Sequence, residues 1–163
     1  MREFDTAEHF AAAVGVELGQ SGMFEVSQQL VDRFGCITGD LQWIHVDRAR
    51  AADGPFGTPV AHGFLLLALV PRLLAEIMII NNTEFVLNSG LRNVSFDAAV
   101  EIGSFVKLSA GLNAATQRKR TTTAELNLSM SVGTQGEYST HNRVALRASQ
   151  TLVIRSERDL TTE

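Results

Sequence analysis

A long apolar segment, Phe64–Ile80, constrains the fold of this 163-residue chain more than any other feature. It is shorter than the roughly 20 apolar residues that a membrane-spanning helix needs. It is also interrupted by one proline and two charged residues, Pro71, Arg72 and Glu76. A helix that is apolar on almost every side is typical of the buried centre of a globular fold. We therefore predict a buried helix from His62-Gly63 to about Ile80, bent at the proline.

The chain after this helix has the pattern of long strands. A turn signal at Asn81-Asn82 is followed by four segments of β-rich or alternating character, Phe85–Phe96, Phe105–Leu112, Thr121–Val132 and Val144–Ile154. Turn signals at 117–120 and 133–136 predict antiparallel neighbours. Glycines at 90, 103 and 111 could permit bends or bulges. The element order predicts one α+β domain over residues 1–163, with a curved antiparallel sheet wrapped around one helix.

The chain before this helix is predicted to form short elements and a loop. Asp5-Thr6-Ala7-Glu8 is typical of a capping box, and the helix that it opens should end at Gly15. Phe24–Val26 is a candidate strand, and Ser27 can cap a second helix with Leu30, Val31 and Phe34 on one face. Residues 35–60 are rich in glycine and proline, which predicts a loop, with one helical turn at Arg48–Ala52.

Charge and cysteine content limit the partners and the setting. The net charge of −4 argues against nucleic acid or an anionic membrane as a general partner. A single cysteine, Cys36, excludes an intramolecular disulfide, and we expect it to be a small buried apolar residue. The lack of disulfides predicts a reducing, cytoplasmic setting. The first residues also lack the apolar core of a signal peptide.

Asp40 and His45 are the residues most suited to chemistry. On a helix, their spacing would place the side chains about 140° apart, but a loop that begins at Gly39 would let both reach one small volume. A carboxylate and an imidazole that share a water can take its proton and give a proton elsewhere. The neighbouring Trp43 and Ile44 would keep bulk water out. The spacing alone also fits a turn aspartate and an unrelated histidine.

The predicted start of the apolar helix, His62-Gly63, is a second candidate feature. The first turn of a helix has unpaired N–H groups and the positive end of the helix dipole. A glycine lets an oxygen approach closely, so the Gly63 N–H could stabilise an oxyanion, an interaction worth about 3 kcal/mol. His62 could line the site, but a supporting role behind it or a helix-starting role is favoured over direct proton transfer. A plain helix start with glycine packed on the sheet is the alternative. No His, Cys, Asp or Glu residues have metal-ligand spacing in the sequence, so we expect no metal.

Taken together, these segments resemble the MaoC-like dehydratase family of the hot-dog fold. The shared features are Phe34, Thr38-Gly39-Asp40, Ile44-His45 and the segment Gly57–Phe64. Gln42-Trp43 stands where the family commonly has Asn-Pro, which is similar to the NodN-like subgroup.

The resemblance implies a function. Asp40 and His45 would hold and activate water, and the Gly63 N–H would polarise a thioester carbonyl. Water would add to a trans-2-enoyl-CoA to give an (R)-3-hydroxyacyl-CoA, with CoA as part of the substrate and no separate cofactor. The central helix would lie inside the sheet, and two copies would pair as a homodimer with one continuous sheet.

Three departures from the family pattern concern the substrate pocket rather than the acid–base pair. Ser89-Gly90, Ser95-Phe96 and Ala99-Val100 replace Tyr-Gly, Arg-Phe and Pro-Val. Acyl chain length and the choice between CoA and an acyl carrier protein therefore stay open. Two other functions also stay open: an acyl-CoA thioesterase, by fold analogy, and a non-catalytic acyl-binding subunit of a heterodimeric dehydratase. The second is expected to lack the Asp–His pair that this chain keeps.

Overall fold

The structure, a computed structural model, describes residues 1–134 and 143–157. Within these residues the helices are α1 (Ala7–Ala11), α2 (Gln28–Thr38), α3 (Trp43–Val46), α4 (Arg48–Ala52) and α5 (Gly63–Ile77). The strands are β1 (Arg2–Phe4), β2 (Glu17–Gln20), β3 (Phe24–Glu25), β4 (Met78–Ile80), β5 (Thr83–Phe96), β6 (Phe105–Arg118), β7 (Thr121–Gly133) and β8 (Arg143–Ser156). The predicted turn at 133–136 lies partly outside the described residues.

One antiparallel sheet packs against helix α5. Its strand order is β2-β6-β7-β8-β5, and β3 also pairs with β6. Alternate residues of β7 are buried on the helix side, as predicted: Ala124, Leu126, Leu128, Met130 and Val132. They meet the buried face of α5, formed by Leu65, Leu66, Leu69, Val70, Leu73, Leu74 and Ile77. The predicted hot-dog fold, a long helix against a curved antiparallel sheet, is confirmed.

The apolar segment differs from its prediction in two respects. Helix α5 ends at Ile77, because Met78–Ile80 forms β4 and pairs in parallel with β1. The helix is also not buried on all sides. Phe64 is 69% exposed, and a stripe of small or apolar residues below it is exposed too: Ala68, Pro71 and Ala75. The sheet covers only one side of the helix, and periodicity alone could not show which side stays open.

The short N-terminal elements agree with the sequence in part, since β1, β2 and α3 were not predicted and α2 continues to Thr38 inside the predicted loop 35–60. The cap of α1 is Thr6, one residue after the start of the predicted capping box: its hydroxyl accepts a hydrogen bond from the His9 N–H at 3.1 Å, and the helix ends at Ala11 rather than at the predicted Gly15. Ser27 caps α2 as predicted, and α4 has the predicted bounds. The prediction that Cys36 is buried was wrong, because its side chain lies on the exposed side of α2.

Strand β5 forms one edge of the sheet. It pairs with β8, and the register shifts between Asn88 and Gly90, where the sequence suggested a bend or bulge. Large apolar side chains along this edge are exposed: Phe85, Val86, Leu87, Leu91, Val94 and Phe96. In the described part of the chain, no helix is both long and apolar enough to cross a membrane.

Candidate active site

The turn Thr38-Gly39-Asp40 directs Asp40 back toward the protein interior. Gly39 ends α2 in the left-handed conformation, with φ of +76°, and its N–H donates to the Gly35 carbonyl at 2.8 Å. A side chain at Gly39 would be strained there, which explains the glycine. The Thr38 hydroxyl donates to the Phe34 carbonyl at 2.8 Å and fixes the last turn of the helix. Asp40 follows in the loop and is half-buried.

His45 lies on the short helix α3 and is 7% exposed. Its Nδ1 is 2.7 Å from the carbonyl oxygen of Val60. A carbonyl oxygen only accepts, so Nδ1 carries the proton and Nε2 keeps its basic lone pair. The Gln28 side chain donates to the His45 backbone carbonyl at 2.8 Å, which ties α3 to α2. In its neutral form the histidine therefore has Nε2 as its basic nitrogen.

His62 completes the cluster from the start of α5. Its ring stacks on the ring of His45, with centroids 3.8 Å apart and planes inclined by 29°. Its Nε2 is 2.9 Å from the backbone carbonyl oxygen of Asp40. The ring of Phe34 packs against it at 5.2 Å. Gly35 allows this close approach, since a Cβ there would lie 3.0 Å from the Asp40 carbonyl oxygen.

The spacing of these groups suits a shared water molecule. One polar side-chain atom from each of Asp40, His45 and His62 lies within 4.8 Å of the others. A water that makes two tetrahedral hydrogen bonds of about 2.8 Å separates its partners by about 4.6 Å. Burial lowers the pKa of His45 below its ordinary value of 6.5. The Val60 carbonyl opposes this shift, His62 adds to it, and the Asp40 carboxylate opposes it.

The same three residues also form a possible metal-ligand set, which the sequence spacing did not suggest. Imidazole lone pairs lie in the ring plane, so a metal must lie near both planes if two histidines are to bind it. Stacked rings 3.8 Å apart direct their lone pairs side by side rather than toward one point. The arrangement therefore fits a metal poorly, and the absence of a metal cofactor stays a prediction.

Gly63 is the first residue of α5, directly after the stacked His62. Its N–H has no hydrogen-bond acceptor among residues 1–134 and 143–157. A Cβ at this position would lie 2.9 Å from the ring of Phe96, so glycine is required by close packing as well. The rings of Phe64 and Phe96 meet edge to face at 5.8 Å, and both are substantially exposed. A free backbone donor thus lies beside an open aromatic surface.

The two residues predicted to exclude water have other contacts. The Trp43 ring lies against Gly54, and the Arg50 guanidinium sits over it at 4.6 Å from its centroid. Trp43 therefore packs against α4 and the turn that follows it. The Ile44 carbonyl accepts from the Val60 N–H at 3.0 Å, which joins the His45 segment to the chain that leads into α5.

Four contributing residues were not identified as site residues in the sequence: Gly35, Gln28, Val60 and Phe96. Gly35 was assigned to the predicted loop 35–60, but the structure places it inside α2, where glycine is unfavourable unless close packing requires it. Gln28 and Val60 act through hydrogen bonds with the backbone and imidazole of His45, and neither has a local sequence signal.

Comparison with known proteins places the chain in a family. Residues 9–133 match the model of the MaoC-like domain. The chain belongs to the MaoC-like domain family. It is 46% identical to 3-hydroxyacyl-thioester dehydratase Z of Mycobacterium tuberculosis over 112 residues, which cover 69% of this chain and 74% of the relative. It is 38% identical to nodulation protein N of Rhizobium leguminosarum bv. viciae over 109 residues, 66% of this chain and 67% of the relative.

The MaoC-like assignment also agrees with solved structures. The R-hydratase PhaJ1 from Pseudomonas aeruginosa superposes with a TM-score of 0.68 at 17% identity, covering 89% of this chain and 83% of that one. At this identity the similarity supports the fold alone. The family and the NodN relationship expected from the sequence are both confirmed.

Proposed function

We propose that this MaoC-like protein is an (R)-specific 2-enoyl-thioester hydratase, which also catalyses the reverse dehydration. Membership of the family makes it a hydro-lyase, and the thioester substrate and the stereochemistry are the proposed part. The observation that carries the proposal is the convergence of Asp40, His45 and His62, whose next residue, Gly63, has a free N–H at the start of α5. This combination would provide water activation by the Asp40–His45 pair and oxyanion stabilisation by the Gly63 N–H.

In the proposed reaction, the thioester carbonyl accepts a hydrogen bond from the Gly63 N–H, which draws electron density from C3. Water held between the Asp40 carboxylate and the His45 Nε2 gives one proton to this pair as its oxygen bonds to C3. The C2–C3 π electrons move toward C2, and the resulting enolate oxygen is stabilised by the Gly63 N–H. C2 then takes a proton from the acid–base pair, so the net change is addition of one water molecule.

The direct test is incubation with trans-2-enoyl-CoA substrates of several chain lengths, followed by loss of the conjugated double bond and chiral analysis of the product. We expect an (R)-3-hydroxyacyl-CoA. Asp40→Asn and His45→Gln should each lower kcat by about 10²- to 10⁴-fold. Release of free CoA thiol instead would indicate a thioesterase. A folded protein that is inactive with both CoA- and carrier-protein-linked chains would reject the enzymatic proposal.

We also propose that the protein acts as a homodimer paired through β5. This 14-residue edge strand exposes a row of large apolar side chains. A long apolar edge is normally covered, since it would otherwise recruit other strands. Antiparallel pairing of two β5 strands would bury the edge and continue the sheet across a two-fold axis.

A further inference from the structure

His62 is buried more deeply than the acid–base pair beside it. Only 2% of its surface is exposed, so its ring is not available to an entering substrate. It nevertheless contacts both members of the pair, through the Asp40 carbonyl oxygen and through the face of the His45 ring. We propose that His62 is a positioning residue that sets the separation between the Asp40 carboxylate and the basic Nε2 of His45. This inference rests on the proposed hydratase function.

The hydrogen bonds assign the protons on both rings. The acceptor of His62 Nε2 is a carbonyl oxygen at 2.9 Å, so this nitrogen carries the hydrogen. Its Nδ1 is buried and has no hydrogen-bond partner among the described residues. The bond from Nε2 to the Asp40 carbonyl oxygen is therefore the one side-chain hydrogen bond of His62 among these residues.

That donor fixes the main chain of Asp40. The 2.9 Å bond spans 22 residues of sequence and connects the loop after α2 to the start of α5. Gly35 and the Phe34 ring, both on α2, lie against the His62 ring. Because the Asp40 carbonyl cannot shift independently of its Cα, the bond limits where the carboxylate can lie.

The stacking contact acts on the second member of the pair. The face of the His45 ring is covered by His62 at 3.8 Å, and its edge is held by the Val60 carbonyl at 2.7 Å. Two contacts in different directions leave the imidazole little freedom to rotate. Asp40 and His62 are the titratable groups that act on His45, and they act in opposite senses: His62 lowers its pKa and Asp40 raises it. Loss of the His62 ring should thus loosen His45 and also make it easier to protonate.

Two variants separate the hydrogen bond from the stack. His62→Phe keeps a flat ring over His45 but removes the donor to Asp40. His62→Gln keeps an N–H near the position of Nε2 but removes the ring. His9→Gln, on the exposed side of α1, is the matched control. The measurements are kcat, KM and the pH profile of kcat/KM for enoyl-thioester hydration, with thermal unfolding of each variant.

We expect His62→Phe to lower kcat on the order of 10- to 100-fold with little change in KM, since displacement of a reacting group by about 1 Å costs about 10²-fold. His62→Gln should recover part of that loss. Both variants should move the acidic limb of the pH profile to higher pH, because each removes the neighbouring imidazole.

An unchanged kcat and an unchanged acidic limb in folded His62→Phe would overturn the inference. So would a rise in KM at constant kcat, which would identify His62 as a substrate-binding residue. If His62→Phe does not fold, the pH profile and kcat of His62→Gln decide. A wild-type protein that is inactive with every enoyl thioester would instead reject the proposed function, so the two failures are distinguishable.

Discussion

Replacement of Gly35 by alanine tests whether close packing, rather than side-chain chemistry, positions Asp40. The substitution leaves every polar group of the site in place. It adds a Cβ that would lie 3.0 Å from the Asp40 carbonyl oxygen, 3.3 Å from Leu41 Cδ2 and 3.6 Å from His62 Cε1. Ordinary contact begins at 3.4 Å, so the carbonyl must recede by about 0.4 Å.

The expected magnitudes follow from this displacement. If His62 stays in place, its 2.9 Å hydrogen bond to the Asp40 carbonyl lengthens to about 3.3 Å, beyond the usual range. A poorly satisfied buried donor costs about 1–3 kcal/mol, and alanine in place of a helical glycine returns about 1 kcal/mol. The net loss of stability is therefore about 0–2 kcal/mol. If the logarithm of the rate scales with displacement, 0.4 Å corresponds to a fall in kcat of about 6-fold.

The assay is steady-state hydration of an enoyl-CoA together with thermal unfolding. Cys36→Ala is the control, because Cys36 follows Gly35 in the same helix but has an exposed side chain on a different side of that helix. We expect Gly35→Ala to lower kcat several-fold and the control to leave it unchanged. A Gly35→Ala protein with full kcat and a raised melting temperature would show that the Asp40 carbonyl is not held by this contact.

Three further changes test other parts of the site and the assembly. Gly63→Ala should lower kcat/KM by about 10- to 100-fold, because its Cβ would meet the Phe96 ring at 2.9 Å and block the approach of the thioester oxygen. Steady-state kinetics measures this loss, and adding Phe96→Ala to the same chain should restore part of it. Because burial lowers the pKa of His45 below 6.5, the unfolded chain takes up this proton first as the pH falls, so stability should decrease below pH 6.5. Urea unfolding at several pH values measures this, and His45→Gln should flatten the dependence over that range. Leu87→Lys on the exposed edge should shift the proposed dimer toward monomer in native mass measurements, whereas Asn127→Lys, on an internal strand, should not.

Local sequence patterns predicted much of the fold. Strand β7 could be predicted because its side chains alternate along one buried face. The starts of α1 and α2 could also be predicted from short sequence signals, because a capping hydroxyl bonds an N–H only three residues away. The strand Met78–Ile80 was missed, because it exists only through pairing with β1, which is far away in the sequence.

The amino-acid sequence by itself determined that a glycine turn precedes Asp40 and that a glycine begins the central helix at residue 63. These features depend on backbone conformation, which a few neighbouring residues decide. Only the tertiary structure decided that His62 stacks on His45 and bonds the Asp40 carbonyl, that Trp43 packs toward Gly54, and which side of α5 stays exposed. Those contacts join segments far apart in the chain, so their geometry depends on how the whole sheet and helix pack.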